Sequence, residues 1–194
     1  MTTSPLTVTH NTARIPLDHP DSLFLRILRR WSTRRYGAVL DTMLATLHNR
    51  KVLTSVGLME LTVPRWSSLE PDLRDLAEAA VSARIGCSWC MDFGYYLARN
   101  RGMDPAKLEA ITDWRTSSVY TPLERLVLDY AEAMTDTPPT VTDGLVADLR
   151  QLLTDEQLVE LTAMISLENQ RSRTNSALGL TSQGFKDHCE LPSR

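Results

Sequence analysis

Two cysteines three positions apart, Cys87 and Cys90 in the segment ARIGCSWCMDFGYYLARNRG (83–102), are the side chains of this sequence best suited to do chemistry. Gly86 stands where an apolar helical repeat ends, so the pair falls in the first turn of the next helix. There the unpaired backbone N–H groups and the positive end of the helix dipole favour an anion. A thiolate is such an anion, and this placement favours ionisation of one of the two thiols. The spacing also lets the sulfurs close a small-loop disulfide. Those are the parts of a redox cycle, in which one sulfur attacks a peroxide or a disulfide and the other resolves the intermediate. On a helix Cys90 shares a face with Phe93, Gly94 and Leu97 and is shielded by apolar groups. Glycine inside a helix costs about 1 kcal/mol relative to alanine. Gly94, one turn beyond Cys90, therefore either leaves space for a ligand or allows a close helix packing.

The elements that must hold this pair read as helices almost throughout. Residues 1–20, rich in Thr and Pro, form an extended arm. A helical extension over 21–65 follows, with apolar stripes at Leu23, Ile27, Leu28 and Trp31, at Val39, Met43, Leu44 and Leu47, and at Val52, Val56, Leu58 and Leu61 before Pro64. The main helical domain spans 66–185, with a tail at 186–194. Within it Leu69, Leu73, Leu76, Ala80 and Ala83 repeat at helical spacing up to Gly86. Asp104-Pro105 starts a short helix to about Trp114. Thr121 and Glu124 form a capping box, Pro138-Pro139 ends that helix, Thr142 starts another, and Thr154 with Gln157 opens a long last one. No alternation of β-branched and polar residues is long enough for a strand. A thioredoxin reading of the cysteine pair, which needs a βαβ pattern, is thereby excluded.

Composition narrows the function classes. Twenty-one basic and 24 acidic residues give a net charge of −3, without the basic footprint of a nucleic-acid binder. The cluster Arg26, Arg29, Arg30, Arg34 and Arg35 reads as a solvated or intersubunit face. No apolar run reaches the length of a membrane span and the N-terminus lacks a signal-peptide pattern, so a cytoplasmic protein with no membrane partner is expected. Three cysteines are too few for a secreted disulfide scaffold. A zinc site combining Cys87 and Cys90 with His188 and Cys189 lacks the usual ligand spacing, so no metal is expected. Trp89, between the cysteines, reads as a core residue or a shield for the pair.

Taken with its surroundings, the segment resembles the alkylhydroperoxidase D (AhpD)-like / carboxymuconolactone decarboxylase family. The resemblance rests on a small-residue approach ending in Gly86-Cys87, the CxxC itself, Asp75 twelve residues before Cys87, and the stretches DPAKLEAITDWRTSSVYTPLERLVLDYAEAMT and TDEQLVELTAMISLENQRSRTNSALGL. It covers roughly residues 65–181. It implies an all-α compact helical bundle that assembles into a homo-oligomer, dimer or trimer. It also implies Cys90 as the peroxidatic sulfur, Cys87 as the resolving one, and Asp75 as a proton-relay carboxylate where peroxidase members carry glutamate. The substrate implied is a hydroperoxide or a disulfide. The reductant implied is a dithiol-bearing protein, with no cofactor beyond the redox-active disulfide. One motif position departs: the relay histidine of the family would stand at 94, where this chain has Gly94.

Substitutes for that histidine come from Tyr95, Tyr96, Tyr120 or His48. Asn169, Arg171, Arg173 and Asn175 in ENQRSRTN read as inter-helix or intersubunit hydrogen-bonding residues. The expected activity is a thiol-dependent hydroperoxide reductase or disulfide oxidoreductase. The alternatives are a carboxymuconolactone decarboxylase-type lyase, which needs no cysteines, and a non-catalytic oligomeric member of the family.

Overall fold

Helix α4 (Pro71–Ile85) is the hub of the bundle. Pro71 presets its first turn and Gly86, at φ 77°, ends it. Leu73, Leu76, Ala77, Ala80 and Val81 are buried along it. The Cys87 and Gly86 amides both donate to the Ser82 carbonyl at 3.0 Å, a Schellman-type closure that reverses the chain into α5 (Ser88–Asn100). Helices α4 and α5 therefore run antiparallel. Around α4 pack α7 (Pro122–Thr135) and α9 (Asp155–Ala177). These two helices start with the capping boxes at Thr121/Glu124 and Thr154/Gln157 that the sequence implies. Between them lies α8 (Asp143–Arg150), whose N-cap Thr142 accepts from the Leu145 amide. A first apolar core, running through Leu76, Val81, Val127, Leu128, Leu161 and Ile165, joins these helices. The molecule is all-α, with no strand among the described residues.

The computed structural model describes residues 13–189, and side chains up to Asp187. Most of the arm expected at 1–20, together with residues 190–194 of the expected tail, lies outside the described residues, as do the side chains of His188 and Cys189. The short helix expected from Pro105 to about Trp114 is divided: α6 (Pro105–Glu109) passes into a tighter 3-10 turn over Ala110–Asp113. That turn brings Ile111 and Trp114 into the first core.

The N-terminal extension folds as α1 (Leu23–Tyr36), α2 (Asp41–Leu47) and α3 (Arg50–Thr62). Of the stripe expected on α1, Leu28 packs against the core below, and the structure corrects the other three positions. Leu23, Ile27 and Trp31 point outward, 69%, 60% and 48% exposed, whereas Leu25 and Ser32 are buried. The inward face is set by Ser32, whose hydroxyl donates to the Ala38 carbonyl and accepts from the Leu40 amide, tying α1 to the start of α2. A second core then forms from Leu25, Leu40, Met43, Leu44 and Leu47 of the extension, Cys87, Trp89 and Cys90 of α5, and Leu180 and Phe185 near the C-terminus. Phe185 opens the last short helix, α10 (Phe185–Cys189). The cysteine pair is thus enclosed by segments from both ends of the described chain.

Candidate active site

Cys87 is the N-cap of α5, with extended backbone (φ −78°, ψ 92°), and its Sγ accepts the Cys90 N–H at 3.2 Å. Cys90 occupies the third position of the helix, which brings the Cα atoms to 5.3 Å, and the two sulfurs are joined in a disulfide. Only 1% of Cys87 and 6% of Cys90 is exposed, so the bond is sealed from bulk solvent and Cys90 is its more open end.

Each sulfur has its own donor. Asn175, buried on α9, donates from Nδ2 to Cys90 Sγ at 3.4 Å. The orientation of that amide is fixed from the other side, because the Thr42 hydroxyl on α2 donates to Asn175 Oδ1 at 2.8 Å. With its carbonyl so engaged, the NH2 group faces the sulfur. Trp89 is buried between the cysteines and donates from Nε1 to Gln183 Oε1 at 2.8 Å. That same oxygen accepts the Asp41 amide, while Gln183 Nε2 donates to the Val39 carbonyl, so one side chain ties α5 to the extension. Asp92, buried on α5, accepts the backbone N–H groups of Gln183, Phe185 and Lys186 at 2.9, 3.0 and 2.7 Å. This carboxylate caps α10 from a different helix and holds residues 183–186 against the cysteine core.

Behind the pair runs a buried polar seam between α4 and α9. Glu168, Ser172 and Asn175 lie on one face of α9 at spacings of four and three residues, all nearly inaccessible. Glu168 Oε1 accepts from the Ser172 hydroxyl at 2.7 Å and the Ser82 hydroxyl at 2.9 Å. Arg171 lies across the outer end of the seam, donating to Glu78, to Glu60 and, at 3.3 Å, to Glu168. Burial, opposed by Arg171 and reinforced by Glu78, pushes the Glu168 carboxyl up to about 7.

The structure does not bring Asp75 to the sulfurs. Because α4 and α5 are antiparallel, a residue twelve positions before Cys87 lies level with the far end of α5, where Asp75 is buried in a bidentate pair with Arg101. Its burial pushes the carboxyl up against the opposing pull of that guanidinium. Tyr120 is also distant from the pair, in the first core, its hydroxyl donating to the Lys107 carbonyl at 2.5 Å. Tyr95 belongs to the first core, with Lys186 over its ring. Tyr96 packs on the cysteine core, its ring 5.6 Å from that of Phe185. His48 packs against His19 with the rings tilted by 47°, and it hydrogen-bonds to the Pro16 carbonyl. At Gly94 a Cβ would meet nothing within 4 Å, so open space rather than close helix packing surrounds it. Asn169 and Arg173 bind Thr135 of α7 and serve as inter-helix ties.

Asn175, read from sequence as another such tie, is the residue whose side chain reaches Cys90 Sγ. Thr42, Ser82, Glu168 and Gln183 have no motif of their own. The one signal open to sequence inspection was the polar row Glu168, Ser172, Asn175 on a helix otherwise apolar along Leu161, Met164 and Ile165. A separate cavity of about 210 Å³, lined by His19, Asp21, Phe24, Leu25, Leu47 and Arg50 among others, lies on the extension and includes neither cysteine.

Comparison with known proteins agrees with this architecture. The carboxymuconolactone decarboxylase family profile matches residues 54–133, from within α3 through most of α7. The protein YnjA of Escherichia coli (strain K12) is 38% identical over 128 residues, covering 66% of this chain and 69% of YnjA. The crystal structure of an alkylhydroperoxidase AhpD core protein from Ralstonia eutropha JMP134, peroxidase-related, superposes with a TM-score of 0.81 over 95% of this chain and 100% of that one, at 18% identity. The debrominase Bmp8 superposes with a TM-score of 0.74 over 86% and 90%, also at 18% identity. At 18% identity the likeness is one of fold. The profile match together with the relation to YnjA shows that this chain belongs to the carboxymuconolactone decarboxylase family, and its fold is that of the AhpD core.

Proposed function

We propose that the protein is a cofactor-free thiol peroxidase that reduces hydroperoxides through Cys90 and Cys87. The observation that carries this reading is the paired sulfurs at the start of α5 with the Asn175 amide aimed at Cys90 Sγ. In the reduced protein that amide stabilises a Cys90 thiolate, since hydrogen bonds to a charged acceptor are the stronger ones. The thiolate attacks the outer oxygen of ROOH. The O–O bond breaks, Cys90 becomes a sulfenic acid, and the leaving alkoxide takes up the proton that the thiol released, giving ROH. Cys87 then attacks the Cys90 sulfur, the S–O bond breaks and water leaves, closing the disulfide. A dithiol on a partner protein returns both thiols by exchange and is itself oxidised.

Dissociation of the capped 183–186 segment is the route by which so well covered a disulfide meets a protein reductant. The exposed apolar residues of α1 and α3 are the faces proposed to join copies of the chain into a homo-oligomer. The test is chemical trapping. In Cys87→Ser protein treated with an organic hydroperoxide, a sulfenic acid on Cys90 accumulates and is captured by a carbon nucleophile. A Cys90 that stays unmodified while the protein remains folded would contradict the reading.

A further inference from the structure

Among the described residues, the large apolar side chains that are more than half exposed fall in two places. Leu23, Ile27, Leu58 and Leu61 belong to the N-terminal extension. Leu152 and Val159, 53% and 68% exposed, stand where α8 gives way to α9. Charge separates the two places. Helix α1 carries Arg26, Arg29, Arg30, Arg34 and Arg35 and no acid. Over residues 143–159 the balance is reversed, with Asp143, Asp148, Asp155 and Glu156 against one base, Arg150. We infer that α1 of one copy docks on the α8–α9 corner of the next copy, head to tail, its apolar stripe on Leu152 and Val159 and its arginines toward Asp148 and Asp155. The inference rests on the homo-oligomer proposed above and names the two surfaces that meet.

Helix geometry presents both kinds of group together. Leu23, Ile27 and Trp31 repeat every four residues as one outward stripe, opposite the buried Leu25 and Ser32. Arg30 and Arg34 follow Leu23 and Ile27 by two turns and lie along that stripe. Arg26 meets Asp21 at 3.6 Å and Arg35 lies over the Tyr36 ring, whereas Arg30 and Arg34 have no carboxylate partner among the described residues. At the corner, Asp155 and Val159 are one turn apart on α9, and Asp148 lies in the last turn of α8, which leads to Leu152. Asp155 pairs with Arg150 at 2.8 Å, and its side chain is 74% exposed. A carboxylate has acceptor sites for more than one donor, so a second guanidinium can join it.

The partner surface follows from charge complementarity. A two-fold pairing of α1 with α1 would set five arginines against five, and α3 opens with Arg50 and Lys51. Like charges facing each other oppose association, so neither helix of the extension complements α1. The acidic, apolar complement is carried by the same chain, more than a hundred residues further along. Because the two surfaces differ, the contact is heterologous: every copy offers both, and copies add in one direction until the rotation closes a ring. Tryptophan and arginine are the side chains that most often dominate interface energetics, and Trp31 with Arg30 and Arg34 supplies both. The charges fix which way α1 lies on the corner, and the apolar contacts hold it there.

The experiment is sedimentation velocity of full-length protein at low ionic strength, with circular dichroism confirming that each variant is folded. Wild type is expected to sediment as an oligomer. Arg30→Glu with Arg34→Glu, and separately Asp148→Arg with Asp155→Arg, set like charges against each other. Each pair should weaken assembly by roughly a hundredfold and leave a smaller species. The chain carrying all four reversals presents complementary surfaces again and should recover the wild-type species. A folded four-site variant that stays small, or a two-site variant that assembles as wild type does, overturns head-to-tail docking and leaves α3 as the joining face. A monomeric wild type overturns the homo-oligomer reading with it. A monomer that floats with phosphatidylglycerol vesicles overturns both and assigns α1 to a lipid surface.

Discussion

Asn175 is the buried side chain that faces the Cys90 sulfur, and its amide carries no charge. Replacing Asn175 by alanine removes the amide donor. A hydrogen bond to a charged group contributes about 1.5–3 kcal/mol, so the first thiol of Asn175→Ala should react with hydroperoxide roughly ten- to a hundredfold more slowly. Stopped-flow traces of thiol loss measure this, and a wild-type rate would remove Asn175 from the reaction. Asn175→Asp should be slower still, because it puts a carboxylate where the thiolate needs a donor. Glu168 has a separate signature in stability. Its folded-state pKa lies above that of an unfolded glutamate, so between about pH 4.5 and 7 the folded chain binds more protons than the unfolded one. Stability therefore falls as pH rises through that window. Glu168→Gln should flatten this part of the curve of unfolding free energy against pH. An equal slope in the variant would mean that another group carries it.

Helix boundaries were the part of the element scale most legible in the sequence. Thr121/Glu124, Thr154/Gln157, Asp104-Pro105 and Gly86 signal them through local chemistry, and each acts in the structure as that chemistry requires. The site was less legible because Asn175 and Gln183 reach α5 across 85 and 94 residues of sequence, and Thr42 orients Asn175 across 133, so none leaves a local pattern. Asp75 shows the converse: its spacing matched a motif, but an antiparallel helix pair carries that position to Arg101 and away from sulfur. The outward stripe of α1 arises similarly, since periodicity gives a face but not the neighbour it meets. Two expectations belong to α5. Gly94→Ala should stabilise the protein by about 0.5–1 kcal/mol, since its Cβ meets nothing within 4 Å, and the denaturant midpoint reads this directly. Asp92→Ala frees three backbone N–H groups of the segment over the cysteines. In that variant the Phe185 and Lys186 amides should exchange faster with deuterium, and the reduced thiols should react faster with a bulky aromatic disulfide. Unchanged exchange would show that Leu180 and Phe185 packing alone holds the segment down.

At the scale of the whole molecule, the second core makes the cysteine pair depend on chain that the family profile largely leaves out. The profile matches 54–133, whereas Leu25, Leu44, Leu180 and Phe185 cover the disulfide from outside that span. No helix among the described residues is long and apolar enough to cross a membrane. Val52, Leu58, Met59 and Leu61 are exposed and α3 has no buried residue of its own, which makes this helix a face that the proposed homo-oligomer would cover. Sedimentation of wild type should show an oligomer, and Leu58→Glu with Leu61→Glu should shift it to a smaller species. A monomeric wild type would contradict that assignment. The central claim is the two-sulfur cycle, and counting free thiols during a single turnover tests it most directly. Reduced wild type mixed with one equivalent of an organic hydroperoxide should lose two thiols together, with Cys87 and Cys90 recovered as a disulfide, and Cys90→Ser should keep its remaining Cys87 thiol. Thiols in folded wild type that outlast the peroxide's reaction with an unfolded control peptide would contradict the account.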